Sequence, residues 1–124
     1  MTLAYWCVLL AGVMPILLTG VAKVVGGRYN NRNPRAWQGR LEGRALRAHA
    51  AHLNSFEAFP LFAAGVIVAH LAAAEQNHID ALAVAFIVLR LIYAACYIAD
   101  QALARSLVWL AAFACSIALF VIGV

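Results

Sequence analysis

Residues 3–25 read LAYWCVLLAGVMPILLTGVAKVV and carry no charge until Lys23. At about 1.5 Å per residue, a helix over this stretch extends roughly 34 Å, enough to cross the hydrocarbon core of a bilayer. A secretory signal would need a basic residue ahead of the apolar stretch and a small-residue cleavage site behind it. Here the order of charge is reversed, with the first base at the far end. The stretch predicts a transmembrane helix, and with it a membrane fold.

The rest of the chain reads the same way. Of its 124 residues 66% are apolar and 11% charged, far from the composition of a water-soluble domain. At about 20 residues per span, four helices use nearly the whole length and leave no room for a second domain. The polar stretch from Gly26 to Leu46, with its Gly26-Gly27 pair and Asn33-Pro34, discourages a continuing helix and reads as a loop. Beyond it a helix over 46–74 is polar in its first third and apolar from Ala58 except for His70. A short link, Glu75 to Asp80, carries two acids and no base; a third helix over 80–100 is interrupted by Arg90; a fourth over 102–123 has Arg105 near its start. The expected fold is an all-α integral membrane protein, one four-helix transmembrane domain over residues 1–124, with helices at about 3–25, 46–74, 80–100 and 102–123.

Charge gives an orientation. The net charge is +4, and seven of the nine Lys and Arg residues lie between Lys23 and Arg47. Bases confined to one link between apolar runs speak for membrane topology and against nucleic acid as a partner. The positive-inside rule places that link in the cytoplasm and both termini outside. Tyr5 and Trp6 then fall at the outer interface, and Tyr29 and Trp37 at the inner one, where aromatic side chains collect. Cys7, Cys96 and Cys115 all lie in apolar runs without metal-ligand spacing, and the four histidines make no HExxH arrangement; no metal is expected.

The informative residues are those a membrane helix should avoid. Asn54, Glu57, Arg90 and, nearer the surface, Asp100 and Arg105 each cost a few kcal/mol in lipid unless paired or facing a cavity. Arg47, Asn54 and Glu57 share one broad helical face, and Arg90, Tyr93 and Tyr97 stand at i, i+3 and i+7 on another. His49 and His52 point away from the Asn54 face, toward lipid headgroups. Counted from the Glu75–Asp80 link, Glu57 and Tyr97 each lie roughly 26 Å deep, Arg90 only about 15 Å. Asn54 then falls level with Asp100 and Arg105, and whether Arg90 reaches Glu57 stays open. Such a cluster is either a buried pair gluing helices together or a ligand or proton site.

The run Ala51-His52-Leu53-Asn54-Ser55-Phe56-Glu57, followed by Pro60 and Phe62, resembles the signature of the MAPEG family, the membrane-associated proteins in eicosanoid and glutathione metabolism. The third-helix pattern Arg90, Tyr93, Tyr97 and the later Arg105-Ser106 are similar to its leukotriene- and prostaglandin-forming synthases, and the likeness extends over the whole chain. The resemblance implies a homotrimer with sites between neighbouring subunits, open to the cytoplasmic side, each binding glutathione as co-substrate. It implies that Asn54 and Glu57 bind the polar groups of glutathione, Glu57 its amine, with Arg90, Tyr93 and Tyr97 in the same pocket and Arg105 stabilising the thiolate. Arg28 corresponds to a cation supplied across subunits. One position departs: the glutathione enzymes carry Arg four residues before the Asn, and Ala50 stands here. Either Arg47, nearly one turn away, is the substitute for binding a carboxylate, or the site takes a different thiol or no thiol at all.

The activity implied is a glutathione S-transferase or peroxidase acting on lipophilic small molecules that arrive from the membrane lipid. A noncatalytic lipid-binding member of the same family is the alternative, which the missing Arg favours. A small multidrug exporter built on a single membrane carboxylate, Glu57, is a third reading; nearby Arg would hold that carboxylate ionised and hinder exchange. The alanine- and arginine-rich style, without a eukaryotic retention signal, points to a bacterial inner membrane.

Overall fold

A computed structural model describes all 124 residues. The chain forms α1 (Leu3–Val25), the short α2 (Pro34–Gln38), α3 (Gly43–Leu71), α4 (Gln76–Ile98) and α5 (Ala102–Val121). Four of these, all but α2, are long and apolar enough to cross a membrane, and the protein is an all-α, multi-pass integral membrane protein. Helices α3 and α4 pack on each other; α1 lies against both, and α5 against both from another side.

On α1 the buried residues are Ala4, Cys7, Ala11, Met14, Pro15, Leu18 and Ala22. Pro15 apart, they follow one another at steps of three or four residues and make one seam, the packing geometry of left-handed bundles. Small residues in the seam bring helices close, as membrane interfaces require in the absence of a hydrophobic driving force between helices. Gly65 on α3 shows how close: a Cβ there would lie 3.1 Å from both Leu119 Cβ and the Ser116 carbonyl of α5. Between α3 and α4, the Phe62 and Phe86 rings stack with centroids 3.8 Å apart.

The start of α1 and the ends of α3 and α4 are satisfied from within the chain. Thr2 caps α1, its Oγ1 accepting from the Tyr5 N–H, and Asp80 Oδ1 of α4 accepts from the Ala4 N–H at 2.8 Å. A carboxylate against the first free amides of a helix is favourable on both hydrogen-bond and dipole grounds. At the other ends, α3 and α4 close by the same device. Ala74 N–H donates to Ala69 O and Ala73 N–H to His70 O; Gln101 N–H donates to Cys96 O and Asp100 N–H to Tyr97 O. Ala73 and Asp100 accordingly have positive φ, 55° and 61°, in the position that usually takes Gly.

Three sequence expectations change. The α3–α4 turn falls at Ala72–Glu75, so Gln76–Asp80 is helical and not a link; its polar side chains extend α4 beyond the apolar layer, where Asp80 finds α1. The stretch expected as loop over 26–46 contains α2, started by Pro34 at its first position, and the first turn of α3. His52 does not face headgroups: it is 8% exposed, and its Nδ1–H donates to the Pro15 carbonyl of α1 at 2.7 Å.

Candidate functional site

Arg90 is the most deeply placed charge in the protein, 2% exposed in the middle of α4. One terminal nitrogen of its guanidinium donates to Asn54 Oδ1 at 2.8 Å, with a longer contact of 3.4 Å to Ser55 Oγ. Asn54 passes the interaction on, its Nδ2 donating to Glu57 Oε2 at 3.2 Å. Glu57 and Arg90 do not touch as an ion pair; the only contact of a carboxylate with a basic side chain in the chain is Glu75 with His78. The link between them is therefore a relay in which the amide donates to one charge and accepts from the other.

The meeting of Arg90 with Asn54 corrects the depth count. With the turn at Ala72–Glu75, residues of α3 pair with residues of α4 about seven positions earlier than a link at Glu75–Asp80 would put them; Asn54 then falls opposite Tyr93, and the long side chain of Arg90, less than one turn away, reaches it. Arg47 confirms the new register, its Nε donating to the Ile98 carbonyl at 3.0 Å.

From Arg90 a second series of contacts runs toward the end of the bundle that carries the α1–α3 connection. The Arg90 guanidinium lies 4.2 Å from the centroid of the Tyr93 ring. Tyr93 meets Tyr97 edge to face at 5.7 Å, and Arg105 of α5 lies over Tyr97 at 4.3 Å. Two rings thus stand between two cations, each cation set against a π face, a favourable arrangement away from water. Glu57, Asn54, Arg90, Tyr93, Tyr97 and Arg105 form one continuous set of contacts. Arg47 stands beside the set, satisfying the carbonyl of Ile98, the residue after Tyr97, at the end of α4. Arg28 does not join: it is exposed in the segment after α1.

Glu57, Asn54 and Arg90 open onto a cavity of about 170 Å³ between α3, α4 and α5, walled by Leu61, Phe86, Trp109 and Phe113 and reaching Ser116. Trp109 and Phe113 stack at 5.4 Å along α5. The aromatic wall and Ser55 went unread in the sequence. A signal for the wall was present, since Trp109 and Phe113 follow Arg105 at i+4 and i+8 on one face of α5.

The arrangement is suited to a zwitterionic ligand with an apolar part: one cation, Arg90, and an amide at one end, a carboxylate beside them, aromatic rings above; Tyr93, Tyr97 and Arg105 lie outside the lining of this cavity. Its volume is below the about 300–1,000 Å³ usual for small-molecule sites, so one chain encloses only part of such a ligand. Glu57, at the midpoint of α3, is exposed on the surface of the single chain. A carboxylate halfway along a membrane span is costly against lipid, so this face calls for a cover.

The family model described as MAPEG family matches residues 3–124. No curated protein and no solved structure matches the chain.

Proposed function

The chain belongs to the MAPEG family, and from that premise we propose that it is a membrane-bound glutathione transferase or peroxidase acting on lipophilic electrophiles. Membership sets the general setting, membrane proteins of glutathione and eicosanoid metabolism. The observation that carries the narrower reading is the Arg90–Asn54–Glu57 relay opening onto an aromatic-walled cavity inside the membrane layer.

The donor set fits glutathione. A tripeptide with two carboxylates, one amine and one thiol needs cations, a single acid and a means of ionising the thiol. Glu57 takes the amine, Asn54 and Arg90 the polar groups beside it, and Tyr93 and Tyr97 line the path. Arg105 has its guanidinium over Tyr97 and no carboxylate partner. A thiol of pKa about 8.5 is largely protonated at neutral pH, while the nucleophile is the thiolate. A permanently charged guanidinium beside the sulfur favours that form. The thiolate then attacks an electrophilic carbon, displacing its leaving group or adding across its double bond with a proton taken up at the other carbon; or it attacks the distal oxygen of a hydroperoxide, breaking the O–O bond, so that the alkoxide leaves and takes a proton as the alcohol, glutathione is left as the sulfenic acid, and a second glutathione converts this to the disulfide and water.

The functional unit in this reading is a homotrimer in a bacterial inner membrane with both termini outside. Packing a neighbour against Glu57 removes it from lipid and completes the enclosure that one chain leaves open.

A second reading, noncatalytic lipid binding, is favoured by two observations. Ala50 stands where the glutathione enzymes have Arg, and the Nε of the substitute Arg47 is engaged by the Ile98 carbonyl. The exporter reading has no such support, because Asn54 holds Glu57 in a relay with Arg90.

Titrating glutathione into the detergent-solubilised protein while following the ultraviolet absorbance of the thiolate tests the proposal. Saturable thiolate formation, lost in Arg105→Ala and shifted to higher glutathione in Glu57→Gln, supports catalysis. Saturable binding of a fatty-acid probe without any thiolate signal or conjugation of an aryl halide supports the second reading instead.

A further inference from the structure

At the end of the bundle bearing the α1–α3 connection lies a recess of about 410 Å³, more than twice the volume of the Glu57 cavity and built from a different part of the chain. Val25, Leu41 and Ala45 form its floor, Trp37 one wall, and Arg40 and Arg44 its cationic rim. We propose that it binds the phosphate of an anionic phospholipid headgroup.

Three observations converge on this ligand. The first is level. Counting from Leu3, the uncharged part of α1 ends at Lys23, so the recess just beyond it lies where the headgroup layer begins. Trp37 and Tyr29, meeting edge to face at 5.0 Å, belong to that layer as well.

The second is charge. Arg40 and Arg44 have no carboxylate partner, although Glu42 shares the recess. Two guanidiniums left with their donors free suit a tetrahedral oxyanion, which they can bind through paired charge-assisted hydrogen bonds. Glu42 leaves the rim with one net positive charge, which matches a headgroup with a single net negative charge and disfavours both a zwitterionic headgroup, whose own cation would meet the guanidiniums, and a more highly charged group.

The third is rigidity. Leu41 and Ala45 are buried in a small cluster with Ala22 and Ala48, against which Trp37 packs. Gly26 admits this packing because a Cβ there would come within 2.8 Å of Leu41 Cδ2 and 3.0 Å of Trp37 Cζ2. The wall and floor are thus fixed before a ligand arrives, and the apolar floor can accept the glycerol end of an acyl chain that a free phosphate lacks.

The test counts lipids bound to the protein in nonionic detergent by native mass spectrometry, titrating phosphatidylglycerol, phosphatidylcholine, glycerol phosphate and inorganic phosphate in separate arms. Phosphatidylglycerol should bind saturably at one per chain. Arg40→Gln/Arg44→Gln should weaken it about tenfold, the equivalent of one or two charge-assisted hydrogen bonds. Arg32→Gln/Arg35→Gln removes the same charge from residues outside the recess and should change binding less than about twofold. Arg40→Lys/Arg44→Lys, which keeps the charge, should lie between wild type and the Gln pair, so that a poorly folded Gln variant does not decide the matter. Equal binding of phosphatidylcholine, or equal losses in the two Gln pairs, would overturn the site; equal affinity for glycerol phosphate or inorganic phosphate would overturn its assignment to a lipid.

Discussion

Two groups of arginines in this chain have opposite circumstances. Arg90 is alone on a membrane helix, sealed from solvent, and its guanidinium is held by Asn54 and Ser55 with Tyr93 against its face. The connection between α1 and α3 has many cations and, apart from the Arg35 bond to Gln38 and the stacking of Lys23 on Tyr29, few of them engaged. The number of charges thus says little about their structural weight. In low dielectric an unpaired guanidinium is prohibitive and every donor must be matched; at the surface water does the matching, and the charges are left free for topology and for ligands.

The largest consequence of that contrast is for Arg90→Leu. It should lower the stability of the solubilised protein by about 2–4 kcal/mol, because it strips Asn54 of its partner inside the bundle. Denaturant unfolding in micelles measures this, and a loss no greater than at a connection arginine would break the comparison. Asn54→Leu comes next, at about 1–2 kcal/mol, since one side chain serves both neighbours. A double-mutant cycle with Glu57→Gln should return a coupling on the order of 0.6 kcal/mol, the usual scale of polar contacts between membrane helices. Asp80→Ala, which leaves the Ala4 amide without its acceptor, should cost about 1 kcal/mol and loosen the start of α1, seen as faster amide exchange there. Smallest of all, Arg32→Gln should stay within about 0.5 kcal/mol of wild type.

How much of this was legible from residues alone follows the same division. The membrane spans were readable because apolar length is a property of consecutive residues. So were the two polar stripes, because helical periodicity puts i, i+3 and i+7 on one face. The facing of the stripes was not, because it depends on where one helix stops. The chain turns at Ala73, an alanine in the left-handed region, where a sequence reading looks for Gly or Asn; the polar Glu75–Asp80 was the natural but mistaken choice. That displacement was enough to separate Arg90 from Asn54 on paper. The rule behind the error is testable in its own right: Ala73→Gly should raise stability by about 1 kcal/mol by relieving the left-handed Cβ. The bond from His52 to Pro15 escaped for a related reason. It depends on which neighbour the back of α3 meets, and nothing in the spacing of His49 and His52 states that.

The relay also gives the polar cluster a direction. Its buried end is fixed by Arg90 and its open end is Glu57, on the surface of the chain. A helix-gluing pair would be closed at both ends; a binding site has to leave hydrogen-bonding capacity open, as Glu57 does, with one carboxylate oxygen accepting from Asn54 and the other unengaged. Calorimetric titration of glutathione into the solubilised wild type and the Glu57→Gln variant tests this most directly. The account predicts saturable binding with Kd at or below about 1 mM and a weakening of about tenfold on removal of the carboxylate charge. Absence of binding, or identical binding by the two proteins, would contradict it.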